Sequence, residues 1–130
     1  MPLVKVEIIE GRSREYKESI LDGIHNALVE AFKIPDDDRI QRLYELSTNN
    51  FELAGFKSDK FVLIEMTVFE GRSIEAKRTL YSGIVRNLGD NPGIQGNDIT
   101  IVLHEVPLDN WGIRGGKPGS EVNLGFKINV

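Results

Sequence analysis

Apolar and polar positions alternate along residues 3–9, with Val4, Val6 and Ile8 on one side and Lys5 and Glu7 on the other. A period of two predicts a strand with one buried face. Gly11 follows as a permissive turn position, and Ser13 is a good helix N-cap. Tyr16, Ile20, Ile24, Ala27, Leu28 and Ala31 then recur at spacings of three and four, which predicts an amphipathic helix stopped by Pro35. A second strand follows at about residues 40–46. Strand, helix and strand in so few residues predict a right-handed parallel crossover. The series then recurs. Phe61 to Phe69 alternates through Val62, Ile64, Met66 and Val68, and a helix starting at Ser73 carries Lys77, Leu80, Tyr81, Ile84 and Leu88. Gly89, Asn91, Pro92 and Gly93 end that helix, and Ile99 to Val106 is the fourth strand. Residues 47–60, with Asn49, Asn50, Gly55, Lys57, Ser58 and Asp59, read as the loop between the halves.

The recurrence is literal. Glu10-Gly11-Arg12-Ser13-Arg14-Glu15-Tyr16-Lys17 returns as Glu70-Gly71-Arg72-Ser73-Ile74-Glu75-Ala76-Lys77, with six of eight positions identical at an offset of 70 − 10 = 60. The same offset pairs Ile24 with Ile84, Leu28 with Leu88, Ile34 with Ile94, Asp38 with Asp98 and Glu45 with Glu105. Agreement across strand, turn and helix marks a tandem duplication. The expected organisation is one domain over residues 1–130, made of pseudo-repeats at about 2–50 and 62–110 with a C-terminal extension at 111–130. In the extension, Val122, Leu124, Phe126, Ile128 and Val130 alternate with polar residues and glycine, which predicts one more strand on a sheet edge. The expected fold is α/β (α+β): two β-α-β units forming a four-stranded mixed sheet, two helices on one face, and an added C-terminal strand. Since Leu3 and Ile9 are apolar as well as Val4, Val6 and Ile8, the uncovered face is also expected to be apolar and to pack against further copies.

Composition narrows the function classes. The net charge of −4, with lysine and arginine scattered, gives none of the clustered basic footprint of a nucleic-acid binder. No apolar run approaches the ~20 residues of a membrane span, and Lys5 and Glu7 interrupt any signal peptide. The absence of cysteine removes disulfides, thiolate nucleophiles and cysteine-based metal sites. His25 and His104 stand alone without metal spacing. A cytoplasmic enzyme or binding protein, with no cofactor or metal, is the expectation.

Pro2 carries the candidate chemistry. Behind so small a residue Met1 is expected to be trimmed, leaving a secondary amine at the terminus. A terminal amine ordinarily titrates near ~8, and apolar or cationic surroundings lower that value. Pro2 is thus a candidate general base near neutral pH; the alternative is a residue that merely favours methionine removal. Its repeat mate, Val62, is internal and has no free amine.

Pro2, the Ile9-Glu10-Gly11-Arg12-Ser13 turn and the Glu/Lys-rich helix resemble the tautomerase superfamily. The first unit is similar to 4-oxalocrotonate tautomerase, and the double-length chain is similar to the malonate semialdehyde decarboxylase group. The resemblance covers most of residues 2–113, including Ile34-Pro35-Asp36-Asp37-Asp38-Arg39 and Trp111-Gly112-Ile113. It implies a homotrimer in which each subunit supplies one catalytic proline. It further implies that Arg72 binds a substrate carboxylate, that Asp38 orients or activates water beside the proline, and that Trp111 and Ile113 form a hydrophobic wall. Arg12, the repeat mate of Arg72, is a weaker substrate-binding candidate that should face the Val62 pseudo-site. Trp111 could instead serve packing and Asp38 a turn shared with Asp98, while Arg39 and Arg42 flank the second strand and could assist anion binding, surface placement being the expectation. The chain departs from the pattern at Glu70 and Phe69, where relatives present a further arginine, and at Ile40, where 4-oxalocrotonate tautomerase has one. The resemblance implies a cofactor-independent tautomerase acting on a small 2-oxo acid. The alternatives are a decarboxylase or hydratase of a 3-oxo acid such as malonate semialdehyde, and a non-catalytic trimeric binding protein.

Overall fold

A computed structural model describes residues 2–130. Strand β1 (Leu3–Ile9) leads to helix α1 (Arg14–Phe32) and strand β2 (Ile40–Leu46). Strand β3 (Val62–Phe69), helix α2 (Ile74–Asp90) and strand β4 (Ile99–Val106) repeat that order. Both helices start as their sequence dictates, since Ser13 Oγ accepts from the Tyr16 N–H and Ser73 Oγ from the Ala76 N–H, each at 3.1 Å. Lys33, in a left-handed conformation at φ 56°, closes α1 before Pro35 is reached.

The four strands form one sheet in the order β2-β1-β3-β4. β1 runs parallel to β2 and antiparallel to β3, and β3 runs parallel to β4. The register obeys the offset of the sequence repeat. Leu3 lies opposite Thr67 and Glu7 opposite Leu63, while Leu3 pairs with Ile40 as Leu63 pairs with Thr100. The two units are therefore related by a pseudo-twofold axis through the β1–β3 seam.

Val4, Val6, Ile8, Val62, Ile64, Met66 and Val68 turn to the helices, meeting Ile20, Ile24, Leu28, Leu80, Ile84 and Leu88 in one buried core. At about 25 cal/mol per Å2 of apolar surface, this shared core dominates the stabilisation. The helices cross closely because Gly23 and Gly83 carry no side chain; a Cβ on Gly23 would lie 2.9 Å from Leu88 Cδ2. Asn87 ties the crossing by donating to the Gly23 carbonyl at 3.0 Å.

Two expectations are corrected. The uncovered face is mixed rather than apolar: Lys5 faces Glu65 at 3.7 Å, and His104 reaches the same carboxylate. Among them Ile40 and Tyr44, both 47% exposed, and Val102, 38% exposed, remain without cover. The predicted C-terminal strand does not form. Gly112–Ile113 (β5) pairs instead with Lys117–Pro118 (β6), and residues 122–130 follow as irregular chain. The alternation was real, but Gly125 takes φ 82° and its N–H bonds to the Asn123 side chain at 3.0 Å. That local turn competes with a strand ladder. Phe126 and Val130 still pack on the core, so the alternation marks a docked tail.

Candidate active site

The sheet topology gathers four sequence candidates at one end. Leu3 pairs with Ile40, so Pro2 and Asp38 both lie just ahead of parallel strands. Antiparallel pairing of Leu3 with Thr67 brings the end of β3 to the same edge, and with it the Phe69–Ser73 turn that carries Arg72. Phe69 in turn pairs with Val106, so the chain leaving β4 delivers Trp111 there. Pro2 is buried. Asp38 is half-buried, its N–H held by the Pro35 carbonyl at 3.1 Å.

Arg72 is the most unusual group of the site. It is 7% exposed, in a turn where Gly71 and Ser73 meet the backbone requirements. Its Nη1 donates to the Phe69 carbonyl at 3.0 Å, and its guanidinium carbon lies 4.7 Å over the Phe32 ring. Its Nε is buried and meets no hydrogen-bond partner among the described residues. Burial lowers its pKa to about 10, only partly opposed by the negative charge of Glu105. A cation supported by a carbonyl and an aromatic face, with a buried donor unspent, is suited to an anionic ligand. The planar fork of donors favours a carboxylate.

Apolar side chains frame that turn. Trp111 is 8% exposed, donates through Nε1 to the Val106 carbonyl at 3.1 Å, and meets Phe69 edge-on at 4.6 Å between ring centroids. Phe126 lies 6.5 Å from Phe69 between ring centroids, and the Ser73 N–H donates to the Val130 carbonyl at 3.0 Å. Ile113 lies half-buried in the β5–β6 hairpin.

Within one chain Arg12 does not join this group. It lies at the opposite end of the sheet, where its Nη2 is 3.3 Å from Asp59 Oδ1. Arg39 pairs with Asp22 on the surface, and Arg42 is exposed. The sequence reading missed three contributors. Phe32, fully buried, is the platform under Arg72. Phe126 falls in the tail that the alternation predicts as a strand. His25, 2% exposed, bonds through Nε2 to the Asp36 carbonyl at 2.7 Å and so holds the turn that presents Asp38. That carbonyl can only accept, which assigns the proton to Nε2. Its helix-face position was the only sequence signal for His25. Among the described residues no group of three or more His, Asp or Glu side chains could hold a metal.

Known proteins are similar to this chain in sequence and in fold. A family described as tautomerase enzyme matches residues 38–114, and a second with that description matches residues 2–58. The chain belongs to the tautomerase superfamily. Among tautomerase relatives, the probable tautomerase YrdN of Bacillus subtilis (strain 168) is 30% identical over 115 residues, 85% of this chain and 89% of the relative. The 2-hydroxymuconate tautomerase of Comamonas testosteroni is 33% identical over 51 residues, 39% of this chain and 81% of that protein. The crystal structure of FG41 malonate semialdehyde decarboxylase inhibited by 3-bromopropiolate is 31% identical with a TM-score of 0.79, covering 89% of this chain and 92% of that one. The chain is thus an enzyme of the tautomerase superfamily with decarboxylase-like relatives. No helix among the described residues is long and apolar enough to cross a membrane.

Proposed function

We propose that this protein is a cofactor-independent tautomerase of a small 2-oxo acid, with Pro2 as the proton carrier once Met1 is removed. The carrying observation is Arg72, a buried guanidinium with an unpartnered Nε at the sheet end where Pro2 lies. Arg72 binds the substrate carboxylate through its planar fork. The neutral Pro2 amine takes the proton from the enol hydroxyl, the carbonyl forms, and the resulting ammonium returns the proton to carbon. Electron pair and proton balance without an outside reagent. Trp111 and Ile113 shape and dry the pocket, and Asp38 orients the reacting face. Arg12 takes no part in this proton transfer.

A second reading, decarboxylation or hydration of a 3-oxo acid, is favoured by the similarity to a malonate semialdehyde decarboxylase and by Asp38 standing ahead of β2 as Pro2 stands ahead of the neighbouring β1. There Pro2 acts protonated, polarising the carbonyl, while Asp38 handles water. The active form in either case is proposed to be a cytoplasmic homotrimer whose sheets pack inward, covering Ile40, Tyr44 and Val102.

Ketonisation of an aryl enolpyruvate, followed by absorbance, tests the first reading. The comparison is of mature protein with Pro2→Ala and with a form bearing extra residues ahead of Pro2. Loss of turnover in both, with the fold intact, supports the amine as base. Full activity in both removes Pro2 from the mechanism. If Asp38→Asn spares ketonisation but stops loss of carbon dioxide from malonate semialdehyde, the two readings separate. Light scattering checks the trimer, and a monomer at working concentration would refute it.

A further inference from the structure

Glu105 is a carboxylate near Arg72 that the proton transfer does not use. It stands opposite Val68 near the end of β4, and the carbonyl of the next residue, Val106, accepts from the Glu70 N–H at 3.1 Å, which ties this strand end to the Arg72 turn. The negative charge of Glu105 acts on the guanidinium. Yet Glu105 makes no ion pair with Arg72 among the described residues. Its Oε1 lies instead 2.6 Å from Lys77 Nζ, which reaches it from the start of α2, and the two side chains are 29% and 21% exposed. The repeat carries the same pair. Lys17 holds Glu45 at 2.8 Å, and there too the carboxylate is kept from the arginine of the turn, Arg12, which meets Asp59.

We propose that Lys77 is a positioning residue of the Arg72 site: by holding Glu105 it leaves that carboxylate's charge beside the guanidinium while keeping its oxygens off the donors that a substrate carboxylate needs. This rests on the reading of Arg72 as a carboxylate binder. An ammonium is a compact charge with three donors on a flexible stem, so it can hold Glu105 without offering the planar fork that a substrate carboxylate selects. With Lys77 removed, the cation whose charge Glu105 already meets is Arg72, since His104, the next residue on β4, reaches Glu65 on the uncovered face. Arg72 has a donor to offer it, the buried Nε that meets no hydrogen-bond partner. A carboxylate of the chain then competes with substrate for one guanidinium. Binding weakens, and proton transfer at Pro2 is untouched.

The test compares wild type with Lys77→Met, Glu105→Gln, Lys77→Met/Glu105→Gln and Arg72→Met. Two readouts are taken: KM and kcat for ketonisation of phenylenolpyruvate, and the Kd of sodium propionate from the Ser73 and Ala76 amides by NMR at constant ionic strength. Lys77→Met should raise KM and Kd by about fivefold, the upper end of what a partly exposed ion pair competes for, with kcat unchanged. Glu105→Gln should raise neither. The double variant should return both to the wild-type values, because the competing carboxylate is gone. A purely structural pair gives the opposite order, with the double variant at least as impaired as Lys77→Met. Unchanged KM and Kd in Lys77→Met, a fall in kcat alone, or a double variant no better than Lys77→Met would each overturn the proposal. If Arg72→Met abolishes the propionate response while Lys77→Met leaves it intact, the positioning role fails and the reading of Arg72 stands. If propionate binds Arg72→Met as it binds wild type, or binds neither, both fail. The spectra themselves report whether each variant is folded.

Discussion

Replacing Arg72 by methionine separates a ligand-binding arginine from a structural one. Burial lowers its pKa to about 10. A shift of that size disfavours the charged form by about 3 kcal/mol, and solvent screening reduces it to about 1–2 kcal/mol. Methionine escapes that cost and fills similar volume. The change also deletes the bond to the Phe69 carbonyl and the contact with the Phe32 face, worth together about 1–2 kcal/mol. The two sides cancel. Arg72→Met should therefore leave the unfolding free energy within about 1 kcal/mol of wild type, by urea denaturation. Removing one partner of a buried salt bridge would instead cost about 3–5 kcal/mol. Turnover should behave differently, with kcat/KM falling by ~100-fold or more as the substrate loses a charged partner. A carboxylate inhibitor at a hundredfold excess over Kd adds about 2.7 kcal/mol to the wild type, a rise of about 10 °C in Tm at this chain length. It should add nothing to the variant. Destabilisation beyond about 3 kcal/mol, or undiminished thermal protection, would refute the argument.

Three further outcomes follow from the same geometry. Ser58 holds the Asp98 carboxyl below its ordinary 3.8, so its contribution is complete above that value and is lost as pH falls through the folded-state pKa. Asp98→Ala should then cost about 1–3 kcal/mol at pH 7, with the gap to wild type closing below pH 3.8 in acid denaturation; a constant gap would refute this. His25→Ala orphans the Asp36 carbonyl and should lower both stability, by about 1–3 kcal/mol, and turnover. His25→Gln, able to restore the donor, should recover more turnover in the ketonisation assay, and equal losses would refute the positioning role. Gly11 and Gly71 hold φ 106° and 139° in matching turns, but only at Gly71 would a Cβ meet the tail, 2.9 Å from Asn129 Oδ1. Gly71→Ala should lower Tm more than Gly11→Ala and expose residues 126–130 to hydrogen exchange; equal effects would show that the tail does not seal this turn.

Much of this architecture was written in local pattern. Ser13 and Ser73 fix the helix starts, the period-two runs fix β1 and β3, and the offset carries the register because a duplicated strand pairs with its copy about an axis. The pseudo-symmetric pairing puts Arg72 at the end where Pro2 lies. What the pattern could not give depends on long-range contact. Phe32 reads as one more apolar residue at a helix end, and its work under Arg72 appears only when a turn 40 positions later (72 − 32) folds onto it. His25 looks isolated because its partner is a backbone carbonyl, to which any residue type contributes equally. The tail fails as a strand because Asn123 and Gly125 offer a nearer hydrogen bond.

The pseudo-twofold also explains why duplication did not yield two equivalent ends. The two arginines differ in burial and in partner, since Arg72 is buried on an aromatic face and Arg12 is only half-buried over Tyr16. At the Arg12 end the connecting segment provides one, Asp59, and its neighbour Ser58 takes up Asp98. At the Arg72 end no carboxylate of the chain makes an ion pair with the guanidinium among the described residues, and Nε is left unspent. Joining two units by a covalent segment thus has two consequences at one stroke. It removes the second free amine at Val62, and it brings an internal carboxylate to the arginine beside it. The asymmetry between Arg12 and Arg72 is one of pairing: Arg12 has a carboxylate of its own chain at 3.3 Å, while Arg72, buried over Phe32, donates to the Phe69 carbonyl.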